Sequence, residues 1–130
     1  EALRNNPRQT LARFLSLQVQ GDDPARRTLR LWRQETEQRP MPDSLALQHG
    51  LDLLLQADLR SQLAKLDCPS LWLLGERDTL VPAAVAQELR ALLGSLGTVR
   101  LLPGGAHAPF LSHPAESLAV LDDFLGAGRA

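Results

Sequence analysis

A short apolar run and a second strand-like segment, each followed by a helical pattern, place the strongest constraint on the fold of this chain. Residues 71–74 are consecutively apolar and are closed by Gly75, and a second strand is predicted at residues 98–102. Helical patterns follow at about 83–93 and from Pro114 to Gly126. Strand, helix, strand, helix with short connections is typical of a parallel sheet covered by helices. The sequence therefore predicts an α/β fold, with residues 71–74 as a buried strand and residues 98–102 as a second strand.

The first 57 residues carry helical signals instead. Pro7 favours the start of one helix, and Asp23 with Pro24 favours the start of a second helix that runs toward Pro40. Asp43 is suited to cap a third helix, from residue 44 to about residue 56. We predict a boundary here, with a helical segment at 1–57 and the α/β segment at 58–130.

Charge is divided unevenly along the chain, although the formal net charge is only -1. Residues 1–40 hold eight arginines and five acidic residues, whereas residues 41–130 hold six basic and ten acidic residues. Arg26, Arg30 and Arg33 follow helical spacing and share one helix face. Taken alone, this stripe is more simply a solvated face, and an acidic macromolecular partner is the alternative. The near-zero total argues against a nucleic-acid binder.

Composition also limits the cellular setting. The apolar runs are far shorter than a bilayer span, and the N-terminal residues do not form a signal peptide. The single cysteine, Cys68, cannot close an intrachain disulfide, so we expect a cytoplasmic protein with this thiol as a small buried apolar group. The chain begins at Glu1 and its only methionine is Met41, so we expect it to have been trimmed, tagged or cut from something longer.

One acid and one histidine follow the two predicted strands. Asp78 lies in the loop after residues 71–74, and His107 lies in the loop after residues 98–102. In parallel sheets functional side chains gather at the carboxyl ends of strands, so this order predicts an Asp–His catalytic pair. Either residue alone would more simply belong to a turn. Spacing for a metal site is lacking, and we expect neither metal nor other cofactor.

These residues carry a family resemblance. Residues 58–82, with the Asp78 loop, and His107 look like the C-terminal part of an α/β-hydrolase. Residues 105–116 and 13–18 resemble more closely the pimeloyl-[acyl-carrier protein] methyl ester esterases of biotin synthesis. The resemblance implies a Ser-His-Asp carboxylesterase with a helical cap. We accordingly name residues 1–57 the cap segment and residues 58–130 the core segment.

The resemblance also implies individual roles. Asp78 is the triad acid and His107 is the general base and acid. Together with His107, five residues of the first cap helix would line the acyl pocket: Phe14, Leu15, Ser16, Leu17 and Gln18. Three arginines would bind the acidic acyl-carrier protein: Arg13, Arg26 and Arg30. A further cap arginine of the family pattern is replaced by Gln9 in this chain.

The nucleophile is missing from this pattern. None of the seven serines lies in a Gly-x-Ser-x-Gly elbow. Ser95 comes nearest, but it follows a helix and precedes a strand, which is the reverse of an elbow. It also comes after Asp78 in the chain, whereas the serine comes first in this fold. We therefore expect the nucleophile in a missing N-terminal half of the same hydrolase and an inactive fragment here. Two alternatives remain: a generic α/β-hydrolase acting on small esters or lactones, and a non-catalytic helical module that binds an acidic protein.

Overall fold

A computed structural model of the chain describes residues 5–127. The first four residues of the predicted cap segment and the last three of the core segment lie outside the described residues. The cap segment forms the helices α1 Pro7–Leu17, α2 Ala25–Gln38 and α3 Ser44–Gln56. α1 packs against α2 as a helical hairpin. The division at residue 57 remains a prediction.

The helix starts show which predicted caps form. The Asn6 side chain accepts a hydrogen bond from the Gln9 amide, and Asp43 accepts one from the Leu45 amide at 2.7 Å. The predicted cap of α2 is wrong, because the Ala25 amide donates to Asp22 instead of Asp23. Asp23 forms an exposed ion pair with Arg26 at 3.2 Å.

The core segment follows the predicted alternation of helix and strand. In chain order its elements are α4 Arg60–Leu63, β1 Ser70–Gly75, α5 Val85–Leu93, a 3₁₀ turn Gly94–Leu96, β2 Gly97–Leu102, α6 Pro109–Ser112 and α7 Pro114–Ala127. β1 and β2 are parallel, paired from Ser70 with Gly97 to Gly75 with Leu102. The α/β class is confirmed, and the short helix α6 is an element that the sequence pattern did not predict.

The core lies between the sheet and α5. Trp72 and Val99 are paired across the strands, and Val99 packs with Leu89 and Leu93 of α5. α7 also contacts both strands. Residues 71–74 are only half-buried, so the described chain covers β1 less completely than predicted. Cys68 is exposed, which contradicts its expected burial.

No helix in the described part of the chain is long and apolar enough to cross a membrane.

Two glycines give a matched test of this packing. A Cβ on Gly75 would overlap the Ala106 carbonyl oxygen and lie 2.5 Å from that of Gly105, whereas a Cβ on Gly50 in α3 meets nothing within 4 Å. We expect Gly75→Ala to lower the free energy of unfolding by about 2 kcal/mol or more. Gly50→Ala should raise it by about 0.5–1 kcal/mol, because alanine favours helix. Chemical denaturation checks both, and equal effects would contradict the close approach of β1 to the His107 loop.

Candidate active site

Asp78 is held rigidly at the carboxyl end of β1. Its carboxylate is buried, with a side chain only 4% exposed, and Oδ1 accepts hydrogen bonds from the Leu80 amide at 2.8 Å and the Val81 amide at 3.0 Å. These bonds close a tight turn after the strand and leave Oδ2 directed away from the turn's own backbone. Asp78 therefore presents one fixed oxygen to a partner.

That partner is His107. Its Nδ1 lies 2.8 Å from Asp78 Oδ2, so the two residues predicted from the sequence meet. An ionised carboxylate only accepts hydrogen bonds, so Nδ1 carries the proton and Nε2 is left as the basic nitrogen. The imidazole is one-third exposed, and no residue in the described chain hydrogen-bonds Nε2. The pair is suited to accept a proton from an incoming group.

Backbone bonds tie the two loops to each other. The Glu76 amide donates to the Leu102 carbonyl at 3.0 Å, and the Arg77 amide donates to the Gly105 carbonyl at 2.8 Å. The Glu76 carboxylate in turn accepts from the Gly104 amide at 2.9 Å. These bonds extend the pairing of β1 and β2 beyond the strands. The 2.8 Å contact of Asp78 with His107 thus continues the sheet register.

The cap segment meets this site through the turn that follows α1. The His107 amide donates to the Gln18 carbonyl at 3.0 Å, and the Thr79 hydroxyl donates to the Leu17 carbonyl at 3.2 Å. The Arg77 guanidinium donates to the Gly21 carbonyl at 2.8 Å. We call this set of contacts the cap–core seam. It places the end of α1 directly beside the Asp78 loop and the His107 loop.

A buried carboxylate completes the seam. The Asp22 side chain is fully buried, and its Oδ2 accepts from the Ala106 amide at 3.1 Å and from the Ser112 hydroxyl at 2.7 Å. The His113 Nε2 lies 3.2 Å from the same oxygen without hydrogen-bond geometry, so this contact is electrostatic when His113 is protonated. The carboxylate therefore joins the cap turn to residues on both sides of His107.

These partners determine the charge state of Asp22. Burial alone would raise the pKa of its carboxyl group, but bonds from Ser112, Ala25 and Ala106 and the field of His113 outweigh burial and lower this pKa from 3.8. A pKa lowered by folding means that the carboxylate stabilises the fold above pH 3.8. That contribution is lost as the pH falls through the folded-state pKa.

Arginines from both helices of the hairpin line one cleft. A cavity of about 680 Å³ between α1 and α2 is lined by Arg13, Arg26, Arg30 and Arg33. Arg33 also donates to the Ser16 hydroxyl at 2.8 Å, which fixes one guanidinium across the hairpin. The stripe predicted on α2 thus faces a concave surface, together with Arg13 of α1. We call it the arginine cleft.

The five predicted acyl-pocket residues do not all line either of two cavities beside α1. Ser16 and Leu17 line the arginine cleft, while Leu15 lines a separate cavity of about 480 Å³, which α2 also borders through Arg33. Phe14 is 42% exposed, and Gln18, the residue that follows α1, accepts a hydrogen bond from the His107 amide through its carbonyl. Of the five, Gln18 and Leu17 are hydrogen-bonded to the His107 loop and the Asp78 loop, respectively, and both accept through backbone oxygens.

Ser95 is placed away from this site. It lies in the 3₁₀ turn that precedes β2, whereas His107 follows the opposite end of that strand. The six residues of β2 separate the two ends by roughly 17 Å. Among the described residues, no group of three His, Cys, Asp or Glu side chains is arranged to hold a metal ion.

Sequence reasoning missed Asp22, Ser112 and His113. Asp22 lies next to Asp23 and Pro24 in a turn where either acid could cap a helix, so its local pattern indicates only a cap. Its partners Ala106 and Ser112 are 84 and 90 residues away along the chain. The signal that would have found the contact, covariation between distant positions, does not exist in a single sequence.

Several curated proteins with clear similarity to the chain carry the same name. A pimeloyl-[acyl-carrier protein] methyl ester esterase of Xylella fastidiosa (strain 9a5c) is 44% identical over 126 residues, which are 96% of this chain and 49% of that protein. Proteins of the same name from Edwardsiella ictaluri (strain 93-146) and Stenotrophomonas maltophilia (strain K279a) are 43% and 44% identical over 94% and 91% of this chain. No family model matches.

These similarities confirm the resemblance stated from the sequence. They also set its extent, because the chain spans about half the length of the curated relatives it matches.

The Asp78–His107 geometry predicts a defined imidazole tautomer. In Asp78→Asn the side-chain amide can donate to Nδ1, so we expect the ring proton to move to Nε2. Imidazole ¹⁵N chemical shifts measured at neutral pH distinguish the two tautomers. Asp52→Asn on α3 is the matched control, because Asp52 has its own partner, Gln48, at 2.8 Å. An unchanged His107 spectrum in Asp78→Asn would contradict the assignment.

Proposed function

We propose that the protein containing this chain is a serine carboxylesterase that removes the methyl ester from pimeloyl-[acyl-carrier protein] in biotin synthesis. The observation that carries the proposal is the 2.8 Å contact of the Asp78 carboxylate with His107 Nδ1, with Nε2 left free among the described residues. The shared name of the curated relatives supports the substrate assignment.

The pair acts as the acid and base of a triad. His107 Nε2 takes the proton of a serine hydroxyl as its oxygen bonds to the ester carbonyl carbon, and Asp78 stabilises the imidazolium. The proton then passes to the departing methoxide, which leaves as methanol when the carbon–oxygen bond breaks. His107 next deprotonates a water molecule that attacks the acyl-serine. The acid remains on the carrier and the serine is restored.

The nucleophilic serine belongs, in this proposal, to the part of the relatives' length that this chain does not span. The one elbow imitation, Ser95, lies at the wrong end of β2. In the described chain the sheet has two strands, each with one unpaired edge. Parallel sheets of this class have further strands and buried edges. Further strands of the same hydrolase therefore provide both the missing pairing and the nucleophile.

The arginine cleft provides the dock for the carrier. Arg13, Arg26 and Arg30 all line it, and Arg33 adds a fourth positive charge. A concave, positively charged surface attracts an acidic protein and orients it on approach. The cleft ends at Leu17 and Val19, next to the seam that holds His107. A carrier bound there is positioned to deliver its acyl chain toward the Asp78–His107 pair.

Charge reversal in the full-length protein separates this proposal from a generic esterase. We expect Arg26→Glu and Arg30→Glu each to lower kcat/KM on the carrier-bound methyl ester by about tenfold or more at low salt. Hydrolysis of p-nitrophenyl acetate should stay unchanged, because it needs no dock. Arg27→Glu is the matched control, since Arg27 is exposed on the same helix but lies outside the cleft.

Two results would contradict the carrier assignment. One is an equal loss on both substrates, which would favour a generic hydrolase of small esters. The other is an effect of Arg27→Glu as large as that of Arg26→Glu, which would show that the change in overall charge, and not the arginine cleft, lowers kcat/KM. Absence of hydrolysis of either substrate by the wild-type protein would favour the non-catalytic binding module.

A further inference from the structure

We propose that Asp22 is a positioning residue that holds the His107 loop in its working place from the cap side. The proposal rests on the proposed function for its kinetic test but not for its spectroscopic one. Asp22 lies in the turn between α1 and α2, outside the catalytic pair and outside the arginine cleft. Among the described residues, the polar partners of its carboxylate do not include the imidazole of His107.

The first argument is that the Asp22 carboxylate is fully buried and that both of its oxygens accept hydrogen bonds. The side chain has no solvent exposure, and Oδ1 and Oδ2 together accept hydrogen bonds from Ala25, Ala106 and Ser112. A buried carboxylate is costly to desolvate and is retained only where such partners compensate. The fold therefore holds this charge in one geometry.

The second argument is where those partners lie. Ala106 immediately precedes His107, and its amide donates to Asp22 Oδ2 at 3.1 Å. The next amide, that of His107 itself, donates to the Gln18 carbonyl at 3.0 Å. Two successive amides of the loop are thus bound by the cap segment. Both amides lie just before the Cα from which the imidazole extends, so these bonds fix the backbone on the N-terminal side of that Cα and thereby bias where Nε2 points.

The third argument is that one side chain serves both units. Asp22 Oδ1 accepts from the Ala25 amide at 3.1 Å and so caps the start of α2, the helix that carries Arg26 and Arg30. Oδ2 holds the loop of the base. The same carboxylate thereby fixes the carrier-binding helix and the His107 loop in one register. A shift of the cap would displace both.

Asp22→Asn in the full-length protein tests this assignment. Asparagine is itself a good N-cap, so its carbonyl oxygen can keep the bond to Ala25, whereas its NH₂ group cannot accept from Ala106. We expect kcat to fall by about tenfold or more on both p-nitrophenyl acetate and the carrier-bound ester, since small displacements of a base are costly. KM should change by about twofold or less, because the arginine cleft is intact.

A spectroscopic readout separates positioning from stability. The ring ¹H and ¹⁵N resonances of His107 should shift in Asp22→Asn at a temperature well below unfolding, where a purely structural role would leave the folded state unchanged. Asp43→Asn is the matched control, since Asp43 caps α3 through the Leu45 amide and is exposed. It should leave both kcat and the His107 resonances unchanged.

Ser112→Ala provides a second variant if Asp22→Asn fails to fold. It removes only the 2.7 Å bond to Asp22, and we expect a smaller fall in kcat with a shift of the same His107 resonances. Unchanged resonances and kcat in the folded variants, with only a lower melting temperature, would overturn the proposal. If the wild-type protein hydrolyses neither ester, the proposed function fails, and the resonances alone decide the role of Asp22.

Discussion

The parallel pairing of β1 with β2 is the interaction on which the site depends. Its register sets Gly75 opposite Leu102, and both strands therefore release their loops at the same sheet edge. Backbone bonds between those loops carry the register forward until Asp78 and His107 meet at 2.8 Å. The backbone pairing of the two loops therefore sets the positions from which the Asp78 and His107 side chains meet. The geometry of the Asp78–His107 pair thus depends on the register of the sheet.

The cap segment adds a second constraint to the same loops. The Gln18 carbonyl, at the end of α1, and the buried carboxylate of Asp22 both accept hydrogen bonds from the His107 loop. The arginine cleft begins within the same turn. In the proposed reaction the arginine cleft serves substrate delivery and His107 serves proton transfer. Neighbouring backbone in the turn after α1 therefore positions both. This arrangement explains why a helical hairpin is kept in register with the sheet edge.

The sequence was informative where the physics is local. Residues 71–74 predicted a strand because an apolar run of that length buries well in a parallel sheet, and the positions of Asp78 and His107 followed from the ends of this strand and of the strand predicted at 98–102. It was uninformative where partners are distant: the choice of Asp22 over Asp23 depends on Ala106 and Ser112. The exposure of Cys68 likewise depends on packing that a single sequence does not encode. The distribution of Leu15 and Ser16 over two cavities depends on where α2 lies.

The central claim is that this chain supplies the acid and base of a triad whose nucleophile lies outside it. Reaction of the full-length protein with a serine-directed fluorophosphonate, followed by intact mass and peptide mapping, tests it most directly. One adduct per chain is expected, on a serine that is not among the seven of this sequence. The 130-residue chain alone should remain unlabelled. Stoichiometric labelling of any of those seven serines would contradict the claim.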